Sequence, residues 1–138
     1  MSEQPIFVDT GYLVALLNAR DGLHDQSVTL ARAWEKKRRS FVTTDAVLIE
    51  LANFFAKGSM RAPALAAIQK LRGAPSWTVQ AVDGPLLIRA ERRYGRHHDK
   101  AWSMTDCISM EVMTDYGSRE AATPDAHFAQ AGFRVLMR

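Results

Sequence analysis

Short apolar runs alternate with stretches of helical periodicity along the whole chain. The apolar runs at 6–8, 41–43, 77–82, 119–123 and 134–136 read as strands. Between them the spacing predicts helices over 12–18, 24–37, 45–57, 62–71, 83–94, 105–116 and 125–131. The second carries Val28, Leu30, Ala31 and Trp34 at helical intervals. The third carries Val47, Leu48, Leu51, Phe54 and Phe55. Gly58, Gly73, Gly95, Gly117 and Gly132 fall where helices should stop, the place for a left-handed residue. Strands alternating with helices predict an α/β fold, with a parallel sheet covered on both faces. In such sheets the ligand site lies beyond the carboxyl ends of the strands.

Four acids break this pattern. Asp9 ends the apolar run Ile6-Phe7-Val8, just before the chain turns apolar again. Glu50 borders the apolar stripe of Val47, Leu51 and Phe54, with Asn53 beside it along the helix. Asp106 opens the otherwise apolar stretch "SMTDCISMEVM", between Thr105 and Cys107 with Ser109 following. Asp125 follows a strand in "AATPDAHF". Each has a bland reading alone. Asp9 and Asp125 suit helix N-caps, Ser103 and Asp106 have capping spacing, and a boundary Glu can reach water. Together they share a geometry, because all can point into one crevice at one edge of the sheet. Carboxylates gathered there repel one another unless a cation neutralises them. Oxygen ligands select Mg²⁺ or Mn²⁺ over zinc. Such an ion can activate water against a phosphoryl centre.

At 138 residues the chain is expected to be a single domain, 1–138, with a substantial core. Hydrophobic residues at 47% and charged residues at 24% match a soluble globular protein and argue against disorder. No apolar stretch reaches bilayer length, and the first five residues lack a signal-type core, so no membrane role is expected. A single Cys forbids an internal disulfide and fits a reducing, cytoplasmic setting. The net charge of +3 is mild, so its placement matters more. Residues 36–39 form one basic block, which reads best as a helix end. Arg89, Arg92, Arg93, Arg96, His97, His98 and Lys100 form another, suited equally to a helix end or to phosphates.

At these residues the chain resembles the PIN-domain family, specifically the ribonuclease toxins of VapBC-type toxin–antitoxin modules. The resemblance covers nearly the whole chain. It rests on "FVDTGYLVALLNARDGLH", "TTDAVLIELANFF", "DKAWSMTDCISMEVM" and "TPDAHFAQAGFRVL". The family's four acids match Asp9, Glu50, Asp106 and Asp125. Thr10 follows the first, Asn53 accompanies the second, and Thr105 and Cys107 flank the third. The resemblance implies a three-layer α/β/α Rossmann-like fold with four to five parallel strands. It implies a Mg²⁺-dependent endoribonuclease, with Mn²⁺ as a substitute, neutralised by a cognate antitoxin and forming a homodimer. Asp9 and Asp106 are then the principal metal ligands, completed by Glu50 and Asp125. Thr10, Thr105 and Ser109 are expected to orient waters or a carboxylate. Arg92, Arg93, Arg96 and Lys100 are expected to contact RNA phosphates. Gly11 departs from the pattern and should loosen the first helical turn.

Other readings stay in view. A PIN fold can serve as a non-catalytic RNA- or protein-binding module, or as a DNA-directed nuclease. A metal-free ribonuclease built on His24, His97, His98 and His127 needs convergent imidazoles, and their settings do not suggest them. His127 reads as part of a short amphipathic helix. Cys107 reads as a buried thiol, Trp34 and Trp77 as core, and Met104, Met110 and Met113 as core fillers. Leu48, Leu51, Phe54, Phe55 and Leu65 are candidates for an antitoxin groove, with at least half of them expected in the core.

Overall fold

The strand β1 (Ile6–Val8) is buried along its length. Successive strand side chains point to opposite faces, so both faces of β1 must be covered. The structure is a computed structural model that describes residues 3–138; Met1 and Ser2, part of the N-terminal segment read above, lie outside it. After β1 come α1 (Thr10–Leu17), α2 (His24–Lys36), β2 (Phe41–Thr44), α3 (Asp45–Phe54) and α4 (Arg61–Gly73). Next are β3 (Trp77–Gln80), α5 (Gly84–Arg96), α6 (Met104–Tyr116), β4 (Glu120–Ala122), α7 (Ala126–Gln130) and β5 (Arg134–Val135).

All five strands are parallel, in the order β3-β2-β1-β4-β5. Phe7 of β1 lies opposite Val42 of β2 on one side and Ala121 of β4 on the other. The chain builds outward from β1 to β3, then crosses back to place β4 on β1's free side. The strand order therefore reverses between β1 and β4, and in open parallel sheets the ligand crevice lies at the carboxyl ends of the strands at such a point.

The core lies on both sides of this seam. Val47, Leu48 and Leu51 of α3 are buried, as are Cys107, Ile108, Met110, Val112 and Met113 of α6. Phe7 stacks on Phe128 of α7 with ring centroids 6.2 Å apart. Burying a side chain of this size stabilises by about 1.5–3 kcal/mol. Trp34 and Trp102 are buried, whereas Trp77 and Met104 are only partly so. Within the expected groove, Leu48, Leu51 and Phe55 belong to the core, while Phe54 and Leu65 are 62% and 55% exposed.

Several local expectations shift. The strand expected over 77–82 ends at Gln80, because Asp83 caps α5 by accepting from the Leu86 N–H at 2.9 Å. Gly117 ends α6 at φ 66°, as a left-handed residue should. Gly73 and Gly95 instead lie inside the last turns of α4 and α5. Gly11 does not loosen α1, which begins at Thr10. A Cβ on Gly11 would come within 2.9 Å of Pro124 Cδ, so its missing side chain lets α1 approach the segment after β4. The basic block at 36–39 closes α2, with Arg39 paired to Glu3 and Glu120 at 2.8 and 2.9 Å. Among the described residues no helix is long and apolar enough to cross a membrane.

Candidate active site

Asp9 follows β1 directly and stands in extended conformation at the N-cap of α1, yet its side chain makes no capping bond there. Its backbone N–H donates to the Ala122 carbonyl at 3.2 Å, continuing the β1–β4 ladder. Its carboxylate accepts from the Thr123 hydroxyl at 2.9 Å, and the nearby Thr10 backbone N–H also favours its charged form. Asp9 is 8% exposed. Burial pushes its carboxyl up to about 6, against the lowering effect of those two donors. The charges of Asp106 and Glu50 raise it further, which brings three of the four acids into one electrostatic neighbourhood.

Asp106 reaches the crevice from the first turn of α6. It forms a capping box with Ser103: the Ser103 N–H donates to its Oδ2, and its own N–H donates to Ser103 Oγ, both at 3.0 Å. It too is 8% exposed. Asp125 caps α7, accepting from the His127 N–H at 2.9 Å. Its own N–H donates to Thr123 Oγ1 at 3.1 Å. Thr123 therefore joins Asp9 to Asp125 through one hydroxyl.

His127 Nδ1 lies 2.9 Å from Asp106 Oδ2 and 3.4 Å from Asp125 Oδ1. One ligand atom from each of Asp106, Asp125 and His127 falls within 4.8 Å of the others. Glu50 joins from α3 and is exposed; its Oε1 accepts from the Thr10 hydroxyl at 2.6 Å. The four acids are thus linked through Thr10, Thr123 and His127.

Among the described residues no Lys or Arg forms an ion pair with any of these four acids. A buried carboxylate near two others, without a basic partner, is costly to ionise. A divalent cation would relieve that cost, and carboxylates are the donors such ions take. The carboxylates supply the oxygen donors expected from the sequence, and the imidazole of His127 stands among them.

The remaining sequence-selected residues separate. Asn53 is exposed and lines the hollow between α3 and α4 with Ala56, Leu65 and Ile68. The Ser109 hydroxyl donates to the Thr105 carbonyl at 2.9 Å, so it is engaged within α6 rather than on a carboxylate. Arg93, one of the expected phosphate contacts, pairs through its Nε with Glu111 Oε2 at 2.6 Å and ties α5 to α6. Arg92 and Arg96 are exposed, and Lys100 pairs with its neighbour Asp99 at 3.3 Å. Cys107 is buried, and burial pushes its thiol up.

The histidines serve different neighbours. His24 Nδ1 lies 2.8 Å from the Ala15 carbonyl oxygen. His97 packs on Trp102, centroids 4.7 Å apart, while the Trp102 indole N–H donates to Gln130 at 3.0 Å. Thr123 and His127 are the site residues the sequence reading missed. For His127 the signal was present, two positions after an acid in "PDAHF".

A parallel sheet with acids gathered at its switch point defines the class, and residues 6–134 match the PIN domain. The chain belongs to the PIN-domain family. It is 34% identical over 130 residues to the 23S rRNA-specific endonuclease VapC20 of Mycobacterium tuberculosis, in two strains, covering 93% of this chain and 95% of that protein. The crystal structure of that VapC20, described as a sarcin-ricin loop cleaving toxin, superposes with a TM-score of 0.83 at 29% identity, covering 96% of this chain and 99% of the other. FitAcB from Neisseria gonorrhoeae shares the fold, with a TM-score of 0.67 at 17% identity over 95% of this chain and 96% of that one.

Proposed function

We propose that the protein is a metal-dependent endoribonuclease, the toxin of a type II toxin–antitoxin module, contained in a single PIN domain and acting in the cytoplasm. The observation that carries this reading is the convergence of Asp9, Asp106, Glu50 and Asp125 at the β1–β4 switch point without a basic partner. Similarity over nearly the full length to an rRNA-specific endonuclease supports RNA as the substrate.

Asp9 and Asp106 are the principal ligands of a divalent cation, Mg²⁺ or Mn²⁺, with Glu50 and Asp125 completing the pocket. When bound, such an ion supplies Lewis-acid charge for a phosphoryl oxygen and for an attacking water. Thr123 and Thr10 hold Asp9 and Glu50 in place by hydrogen bonds. Thr105 precedes Asp106 in the first turn of α6, and Asn53 lies on the same helix as Glu50. Arg92 and Arg96 stand exposed near the end of α5 and Lys100 on the segment after it, where they can meet RNA phosphates. Ile49, Phe54 and Leu65 leave an apolar face on α3 and α4, which supports a protein partner. The cognate antitoxin fills that role in this reading, and the toxin itself is a homodimer.

Asp9→Asn and Asp106→Asn are each expected to abolish cleavage while leaving the fold intact. Purified protein incubated with Mg²⁺, and separately with Mn²⁺, should cut an RNA bearing the sarcin–ricin loop and lose that activity in excess EDTA. Cleavage of DNA alone would redirect the reading to a DNA nuclease. Cleavage of neither would leave a binding module.

A further inference from the structure

The helix that carries His127 is fixed at several points. Asp125 caps α7 by accepting from the His127 backbone N–H at 2.9 Å. The next residue, Phe128, is fully buried against Phe7. Gln130 is held by the Trp102 indole at 3.0 Å. The helix is therefore anchored on both sides of the imidazole.

The separations suit ligation. Donors in adjacent positions around an ion with bonds of about 2.1–2.2 Å lie roughly 3 Å apart. His127 Nδ1 stands 2.9 Å from Asp106 Oδ2 and 3.4 Å from Asp125 Oδ1. We propose that His127 Nδ1 is a nitrogen ligand to the divalent ion shared with Asp106 and Asp125, so that the site prefers Mn²⁺ to Mg²⁺. The inference rests on the metal-dependent nuclease reading and deepens it. Mg²⁺ takes oxygen donors and sheds its waters reluctantly, whereas first-row transition ions accept imidazole. A carboxylate-only site has no such basis for choice.

Mn²⁺ is the probe. Pulsed electron paramagnetic resonance of the Mn²⁺-loaded wild-type protein is expected to show hyperfine coupling to a directly bound nitrogen, and His127→Gln should erase it. The substitution leaves the backbone N–H that Asp125 accepts. Calorimetric titration should show a loss of Mn²⁺ affinity of about tenfold or more in His127→Gln, with a smaller loss for Mg²⁺. Absence of nitrogen coupling in the wild type overturns the proposal, because Nδ1 is then only a hydrogen-bond partner of Asp106. So does undiminished Mn²⁺ affinity in folded His127→Gln. If that variant fails to fold, the wild-type spectrum decides alone. RNA cleavage without nitrogen coupling removes the His127 proposal and spares the nuclease. Nitrogen coupling without cleavage does the reverse, and a wild type that binds no divalent ion removes both.

Discussion

The Thr123 hydroxyl donates to the Asp9 carboxylate at 2.9 Å, across 114 positions of sequence. It joins the residue just past β4 to the residue just past β1, at the point where the strand order reverses. The same oxygen accepts from the Asp125 N–H at 3.1 Å. One buried side chain thus sets the spacing between two of the four acids.

Replacing it should be costly in a specific way. Thr123→Val keeps the shape but leaves Asp9 Oδ2 without its hydroxyl donor and the Asp125 N–H without its acceptor. A buried polar group left unpaired costs about 1–3 kcal/mol. Loss of a hydrogen bond that orients a metal ligand typically weakens affinity by about 10–100-fold. Thermal unfolding and Mn²⁺ titration should record both losses, and Thr123→Ser should recover most of each. A Thr123→Val protein binding Mn²⁺ as tightly as wild type would detach this hydroxyl from the site.

Asp9 should also make the metal-free protein sensitive to pH. Burial raises its carboxyl from 3.8 to about 6, so the folded chain holds that proton more tightly than the unfolded chain. The stabilising contribution is full below the unfolded value and is lost as pH rises through the folded one. At about 1.4 kcal/mol per pH unit between the two values, the loss is on the order of 3 kcal/mol. In EDTA, Asp9→Asn should therefore melt above wild type at about pH 8 and converge with it near pH 4. Added divalent ion should raise the wild-type Tm at the higher pH and act far less on the variant. Parallel melting curves across that range would show that Asp9 ionises in the fold without penalty.

The alternation of apolar runs and helical spacing was enough to read the parallel sheet, because each strand and helix carries its own period. The four acids were readable for a similar reason, as each interrupts a local apolar pattern. Their division of labour was not. Asp9, Asp106 and Asp125 all open helices, yet Asp106 and Asp125 cap while Asp9 is held by Thr123. Arg93 sits in a basic block like Arg92, but only the structure brings Glu111 onto it. His127 reads as part of an amphipathic turn until α6 brings Asp106 beside it. In each case the deciding partner lies outside the local window, where periodicity carries no information.

Two glycines should respond in opposite directions to the same change. Gly11→Ala would set a methyl 2.9 Å from Pro124 Cδ, in the segment that leads to Asp125. Overpacking of this kind costs about 1–3 kcal/mol. Any relief by moving Pro124 shifts Asp125, so activity should fall together with stability. Gly73→Ala meets nothing within 4 Å and lies in the last turn of α4. It should stabilise by about 0.4–1 kcal/mol with activity unchanged. Chemical denaturation and a cleavage assay on the two variants make the comparison, and a neutral Gly11→Ala would refute the close approach.

The basic segment should divide by partner rather than by charge. Arg93→Ala removes the 2.6 Å partner of Glu111, a side chain only 12% exposed, and leaves it the longer 3.5 Å pairing with Arg89. Its main effect should be a stability loss of about 1–3 kcal/mol, with α5 loosened on α6. Arg92→Ala and Arg96→Ala remove exposed charges and should change stability by less than about 0.5 kcal/mol. If these two meet phosphates, each should weaken RNA binding and reduce the slope of log affinity against log salt by about 0.7–1. Binding isotherms at several salt concentrations, beside denaturation curves, separate the two classes. The division fails if Arg93→Ala retains full stability, or if the salt slope is unmoved in both Arg92→Ala and Arg96→Ala.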